Sequence, residues 1–107
     1  MIISAIAISP RVIVLGQAVD IIVLTEGVDP SALVEICVSV GWPFAIDGRA
    51  MLCQTVMGSE SASFRALVTC KTVAATCHIT ALAAADDGQG CRAYEVVEVN
   101  LKGRASV

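Results

Sequence analysis

Five cysteines, at positions 37, 53, 70, 77 and 91, are the side chains of this 107-residue chain with most chemistry to offer. None of them forms a C-x-x-C pair, so the spacing gives neither a zinc ribbon nor a thioredoxin-like redox motif. Cys70 and Cys77 flank a six-residue connection between two strands expected in opposite sheets, and both fall on core-facing parity. A bridge between them across the two sheets is one reading. Buried thiols acting as small hydrophobes is the other. An odd count leaves one thiol unpaired or intermolecular, and Cys37, on the polar side of its strand, is the candidate for it.

The remaining candidates are weaker. His78 is the only histidine, and a metal site there would need further ligands, of which Cys37 is the one soft candidate. A cysteine nucleophile activated by His78 would also need a pocket and a third, orienting group, which the sequence does not supply. Asp86 and Asp87 could join Glu60 or Asp47 around calcium, but two aspartates beside glycines are ordinary hairpin chemistry. Trp42 and Phe44, with Tyr94, could form an aromatic contact for a sugar or a peptide; the competing reading has the tryptophan capping one end of a core. No catalytic, cofactor-binding or metal-binding set emerges.

The elements that would carry these residues are short apolar segments, alternating with Gly, Pro, Asp and Ser clusters about every ten residues, the spacing of a β-sandwich or barrel. Val, Ile and Thr dominate them, and branched Cβ atoms fit a pleated sheet better than a helix. Strands are predicted at Ile2–Ile8, Val12–Leu15 along the same edge, Val19–Thr25, Leu33–Val40, Met51–Met57, Ala62–Cys70, Thr76–Ala84 and Arg92–Leu101. Gly41 to Arg49 reads as a loop. Met51–Met57 and Ala62–Cys70 are expected to form a hairpin, as are the last two strands across Asp86-Asp87-Gly88-Gln89-Gly90. The result is an all-β, immunoglobulin-like sandwich of about seven antiparallel strands in two sheets. Residues 1–101 form the domain, and 102–107 a tail or linker. Its predicted core is Val19, Ile21, Val23, Val34, Ile36, Val38, Phe64, Val68, Ile79, Val97 and Val99.

Period-two alternation also leaves apolar residues outside that core. If Val19, Ile21 and Val23 point inward, Ile22 and Leu24 point outward, and Leu67 does the same on the strand expected beside them. The first strand is apolar on both parities, with Ile2, Ile6 and Ile8 on one. These six residues make a candidate protein–protein interface. Composition agrees: hydrophobic residues are 56% of the chain and charged residues 16%, against roughly 25% charged in ordinary domains. With a net charge of −3 and no basic run, neither nucleic acid nor an anionic membrane is an expected partner. No apolar run approaches the length of a membrane span.

The fragments Ile8-Ser9-Pro10, Leu15-Gly16-Gln17-Ala18-Val19, Gly58-Ser59-Glu60-Ser61-Ala62-Ser63-Phe64-Arg65-Ala66-Leu67-Val68-Thr69 and Cys77-His78-Ile79-Thr80-Ala81 follow one another in a familiar order. The chain from about Ile8 to Leu101 resembles the bacterial immunoglobulin-like modules of secreted and cell-surface proteins. Those modules share a start like S-P-x-x-V-x-x-G-Q, a later G-S-x-S-A-x-F-x-V-x-T and an I-T-A strand. The resemblance implies an extracellular or cell-surface spacer, adhesion or assembly module without a catalytic site or cofactor. Its partners would be copies of itself or neighbouring domains. The oxidising location it implies also favours at least one disulfide. The five cysteines and the Trp42-Pro43 loop depart from the family pattern. An immunoglobulin-like virion component and a carbohydrate- or peptide-binding module are the alternative expectations.

Overall fold

The computed structural model describes residues 1–9, 12–14, 18–42, 44–68 and 74–102, and of these the backbone alone at 12–14, 68, 74–75 and 99–102. It is all-β: nine strands in two sheets, with no helix among the described residues. The strands are β1 (Ile2–Ser9), β2 (Val12–Val14), β3 (Val19–Glu26), β4 (Leu33–Val40), β5 (Phe44–Ile46), β6 (Met51–Met57), β7 (Ala62–Val68), β8 (Ala74–Ala85) and β9 (Gly90–Lys102). One sheet has the order β1-β3-β7-β5, the other β2-β9-β8-β4-β6. Among the described residues no helix is long and apolar enough to cross a membrane.

The two sheets pack through the alternating apolar residues that the sequence predicts. Val19, Ile21 and Val23 of β3, and Phe64 of β7, meet Val34, Ile36 and Val38 of β4, Ile79 of β8 and Val97 of β9 in one core, with no buried polar or charged residue among the described residues. The side chains of Val68 and Val99, also expected there, lie outside the described residues. Alanines at 62, 66, 81, 83 and 85 complete the inner faces. Gln54 sits on the inner side of the edge strand β6, where its amide Nε2 donates to the Ser63 carbonyl of the opposite sheet at 2.6 Å.

Three expectations need correction. The strand count is nine rather than about seven, partly because the loop expected at Gly41 to Arg49 contains β5. That strand ends in a two-residue turn at Asp47-Gly48, both at positive φ, with Ile46 and Arg49 exchanging two backbone hydrogen bonds. Asp-Gly is the pair such a turn favours, because two successive left-handed residues suit the twist of a hairpin. Second, β2 does not continue the edge of β1 but crosses to the other sheet and pairs in parallel with β9, Val12 opposite Asn100.

Third, β6 and β7 are not a hairpin. β6 pairs with β4 and β7 with β3 and β5, so residues 58–61 carry the chain between sheets. Gly58 makes that crossing possible: a Cβ there would lie 2.2 Å from the Asp29 carbonyl oxygen, and its N–H donates to the Ala32 carbonyl. The last strand, β9, runs through Lys102, the last described residue. The Asp86 to Gly90 hairpin forms as expected, with Gly88 at positive φ and Ala85 N–H donating to the Gln89 carbonyl.

Candidate interaction surfaces and the cysteine pair

A single irregularity decides how β1 presents its apolar residues. Ile3 pairs with Thr25 but Ala5 pairs with Leu24, so Ser4 is an extra residue in β1. Such a bulge reverses the parity of everything beyond it. The Ser4 hydroxyl donates to the Leu24 carbonyl at 3.3 Å. Ile2 is therefore exposed, whereas Ile6 is partly buried against the core and Ile8 belongs to it. Ile6 and Ile8 are removed from the expected interface by this shift. Strict alternation from Ile2 would have kept all three on one face.

The outer face of the four-stranded sheet keeps the rest of that surface in two parts. Ile22 stands between Ala7 and Ser63, and Leu24 stands opposite Ala5, so these side chains form one apolar group on β1 and β3. Leu67 is exposed as expected, but it lies opposite Ala45 of β5. The oppositely charged pair Asp20 and Arg65 separates it from Ile22.

The outer face of the five-stranded sheet also exposes large apolar side chains, where sequence reasoning placed none: Leu33 pairs with Met57, while Leu82 stands between Cys37 and Arg92, and Tyr94 opposite Thr80. Leu33 on β4, Met51 and Met57 on β6, Leu82 on β8, and Tyr94 and Val96 on β9 are all exposed. Each has the outward parity of its strand, opposite to the buried Val34, Ile36, Ile79, Ala81 and Val97. The signal was available: Met51 and Met57, six residues apart in a period-two segment, must share a face. Leu33 and Leu82 occupy the positions between core residues.

At one end of this face, His78 and Tyr94 pack together with ring centroids 6.0 Å apart, and the tyrosine hydroxyl is hydrogen-bonded to His78 Nδ1. The Gly41 N–H donates to the His78 carbonyl, and Trp42, next in the chain, is 77% exposed. Phe44 is not part of this surface. It is buried at 4% in β5, so the expected Trp42 and Phe44 pair is split between solvent and core. Trp42 lies inside a turn closed by Phe44 N–H donating to the Gly41 carbonyl, and Phe44 ends it, so the two side chains leave in different directions.

The cysteines are arranged differently from expectation. Cys37 of β4 is not a free thiol: it is bonded to Cys53 of β6, directly opposite it, with Cα atoms 4.0 Å apart. That separation belongs to the narrow kind of antiparallel pair, in which facing side chains come closest. Cys77 carries a free thiol, fully buried between the sheets, and burial pushes it up to about 11. Its expected partner Cys70 lies outside the described residues. Cys91 is also free, half-buried opposite Ala83.

Among the described residues, one group could offer three ligands to a metal: Glu35, Cys37 and Cys53, with their ligand atoms within 4.8 Å of one another. His78 is not in it. Asp87 accepts hydrogen bonds from Gln89, and Glu60 accepts one from the Met57 N–H. Both acids serve their own turns. No protein-family model matches the chain, and no curated protein is significantly similar to it.

Proposed function

We propose that this chain is a non-enzymatic, immunoglobulin-like structural module that packs against copies of itself or neighbouring domains in an extracellular or cell-surface assembly. The observation that carries this reading is the pair of outward apolar faces, one on each sheet, on a chain with 16% charged residues. Grouped apolar side chains left in solvent, such as Ile22 with Leu24 and Leu33 with Met57, mark interaction sites. Burying one large aliphatic side chain contributes about 1.5–3 kcal/mol, so a few together can drive association once ordering costs are met.

The immunoglobulin-like part of the proposal is supported by strand order. The N-terminal segment contributes β1 to one sheet and β2 to the other, and β2 runs parallel to the last strand. The extracellular part is supported by the Cys37–Cys53 bond, since disulfides persist in oxidising compartments. It also weighs against the reading as a virion component assembled in a reducing cytosol. A second reading, a sugar- or peptide-binding module, is favoured by one observation: Trp42 stands in solvent beside the His78–Tyr94 end of the sheet.

Light scattering across a concentration series tests the assembly reading. The parent chain is expected to exceed monomer mass. The double substitution Ile22→Thr, Leu24→Lys should return it to monomer if the four-stranded sheet is the contact, and Leu82→Lys should do so if the five-stranded sheet is. A parent chain that stays monomeric at high concentration sinks the proposal. A glycan and peptide screen with Trp42→Ala as control addresses the second reading.

A further inference from the structure

The geometry points to a redox-gated site for a thiophilic divalent cation, built by Glu35, Cys37 and Cys53 on the outer face of the five-stranded sheet. Glu35 and Cys37 are two residues apart on β4 and so share a face, and Cys53 stands opposite Cys37 on β6. Their three ligand atoms already lie within 4.8 Å of one another. Zinc-like cations bind thiolate sulfur at about 2.3 Å in a tetrahedron, which sets two coordinated sulfurs about 3.8 Å apart. Once the S–S bond is open, side-chain rotation alone brings the sulfurs to that spacing. The Glu35 carboxylate is within reach as third ligand. Cys53 and Glu35 are exposed and Cys37 half-buried, so a reductant and a metal both have access, and a fourth position faces solvent.

The chemistry balances with a dithiol as reductant. Two electrons pass from the dithiol to the Cys37–Cys53 bond. The dithiol closes to its own disulfide, and its two protons leave Cys37 and Cys53 as thiols. A divalent cation then displaces those two protons to solvent and binds both thiolates. Oxidation and metal binding therefore exclude each other, because each consumes the same two sulfurs. Both states also link the same strands. β6 is an edge strand whose one partner in the sheet is β4, so the metal takes over the link that the disulfide provides. The free cysteines among the described residues do not compete at this place. Cys77 and Cys91 point to the inner side of the sheet, and Cys77 is fully buried.

The test uses the full chain, reduced with a dithiol, desalted without oxygen and titrated with Cd²⁺, with the ultraviolet thiolate-to-cadmium charge-transfer absorption as readout. The reduced chain should show one saturable equivalent and the disulfide form none. Cys53→Ser should abolish the band. Glu35→Gln, a conservative change at an exposed position, should weaken affinity by at least about 10-fold, because losing a direct ligand costs no less than losing an outer-shell partner. Far-ultraviolet circular dichroism of each form checks that the sheets persist. Four results overturn the proposal: no band in the reduced chain, an equal band in Cys53→Ser, unchanged affinity in Glu35→Gln, or loss of the sheet signal on reduction.

Discussion

Ile21 and Phe64 stand directly opposite each other on β3 and β7, at 0% and 1% exposure, on the inner face of the four-stranded sheet. Phe64 is the largest fully buried side chain of the domain. Removing it leaves a void that neighbours on two rigid sheets cannot close. Phe64→Ala should cost about 3–5 kcal/mol in urea unfolding. A loss under about 1 kcal/mol would mean that the ring is not packed as described.

Thr25, opposite Ile3, holds the one buried side-chain oxygen without a hydrogen-bond partner among the described residues. Valine has nearly the same shape and no hydroxyl to desolvate. Thr25→Val should therefore raise stability by about 1 kcal/mol, the low end of the cost of an unsatisfied buried group. It should show as a higher denaturant midpoint at unchanged slope. A lower midpoint would reveal a partner for the hydroxyl.

Gly58→Ala would force the Asp29 carbonyl or the β6–β7 crossing to move, because the added Cβ meets backbone rather than a flexible side chain. The expected loss is about 1–3 kcal/mol, as for other overpacked sites. Retention of the parent's melting temperature would contradict the close approach.

Reducing Cys37–Cys53 opens a link of sequence separation 16, and in the chain-entropy account a loop of that length is worth about 3 kcal/mol. Parallel urea titrations with and without a dithiol measure it. Non-reducing peptide mapping should find the peptides of Cys37 and Cys53 joined. Cys77 should react with an alkylating agent only after unfolding. Rapid alkylation of Cys37 in the untreated native chain would contradict the bond.

The thiol of Cys77 also gives alkaline stability a predicted direction. Its folded value, about 11, lies above the ordinary 9.0 because burial disfavours the thiolate. Below pH 9 the thiol is protonated in both states and its contribution is complete. As pH rises from 9 to about 11 the unfolded chain loses the proton first, so that contribution declines. Cys77→Val removes this group, and its unfolding free energy should fall less steeply over the same interval than the parent's. Equal slopes would show that the thiol is not buried.

Much of the sandwich is written in local pattern. Val19, Ile21, Val23, Val34, Ile36, Val38, Phe64, Ile79 and Val97 follow the period-two pattern expected of a core and are buried there. Side chains on a strand must alternate, and only one parity can face a partner sheet. The turn at Gly88 was legible for the same kind of reason, because its backbone conformation suits glycine. Scarcity of charge likewise implied apolar outer surface, whichever way the sheets were arranged.

What tertiary structure decided was pairing. Strand pattern does not say which neighbour a strand takes, so β6 could be read as the hairpin partner of β7 when its partner is β4. The cysteine bond depends on that choice. Cys37 and Cys53 lie on the outward parity of two strands 16 residues apart, and only the β4–β6 register sets them face to face. Ser4 is the same lesson at one residue: a bulge exists only relative to a partner strand, and this one moves Ile6 and Ile8 from the expected surface toward the core. Alternation is a property of one strand, fixed by its covalent geometry. Register, sheet membership and the sites they assemble belong to pairs of strands, and their energies come from contacts between residues far apart in the chain.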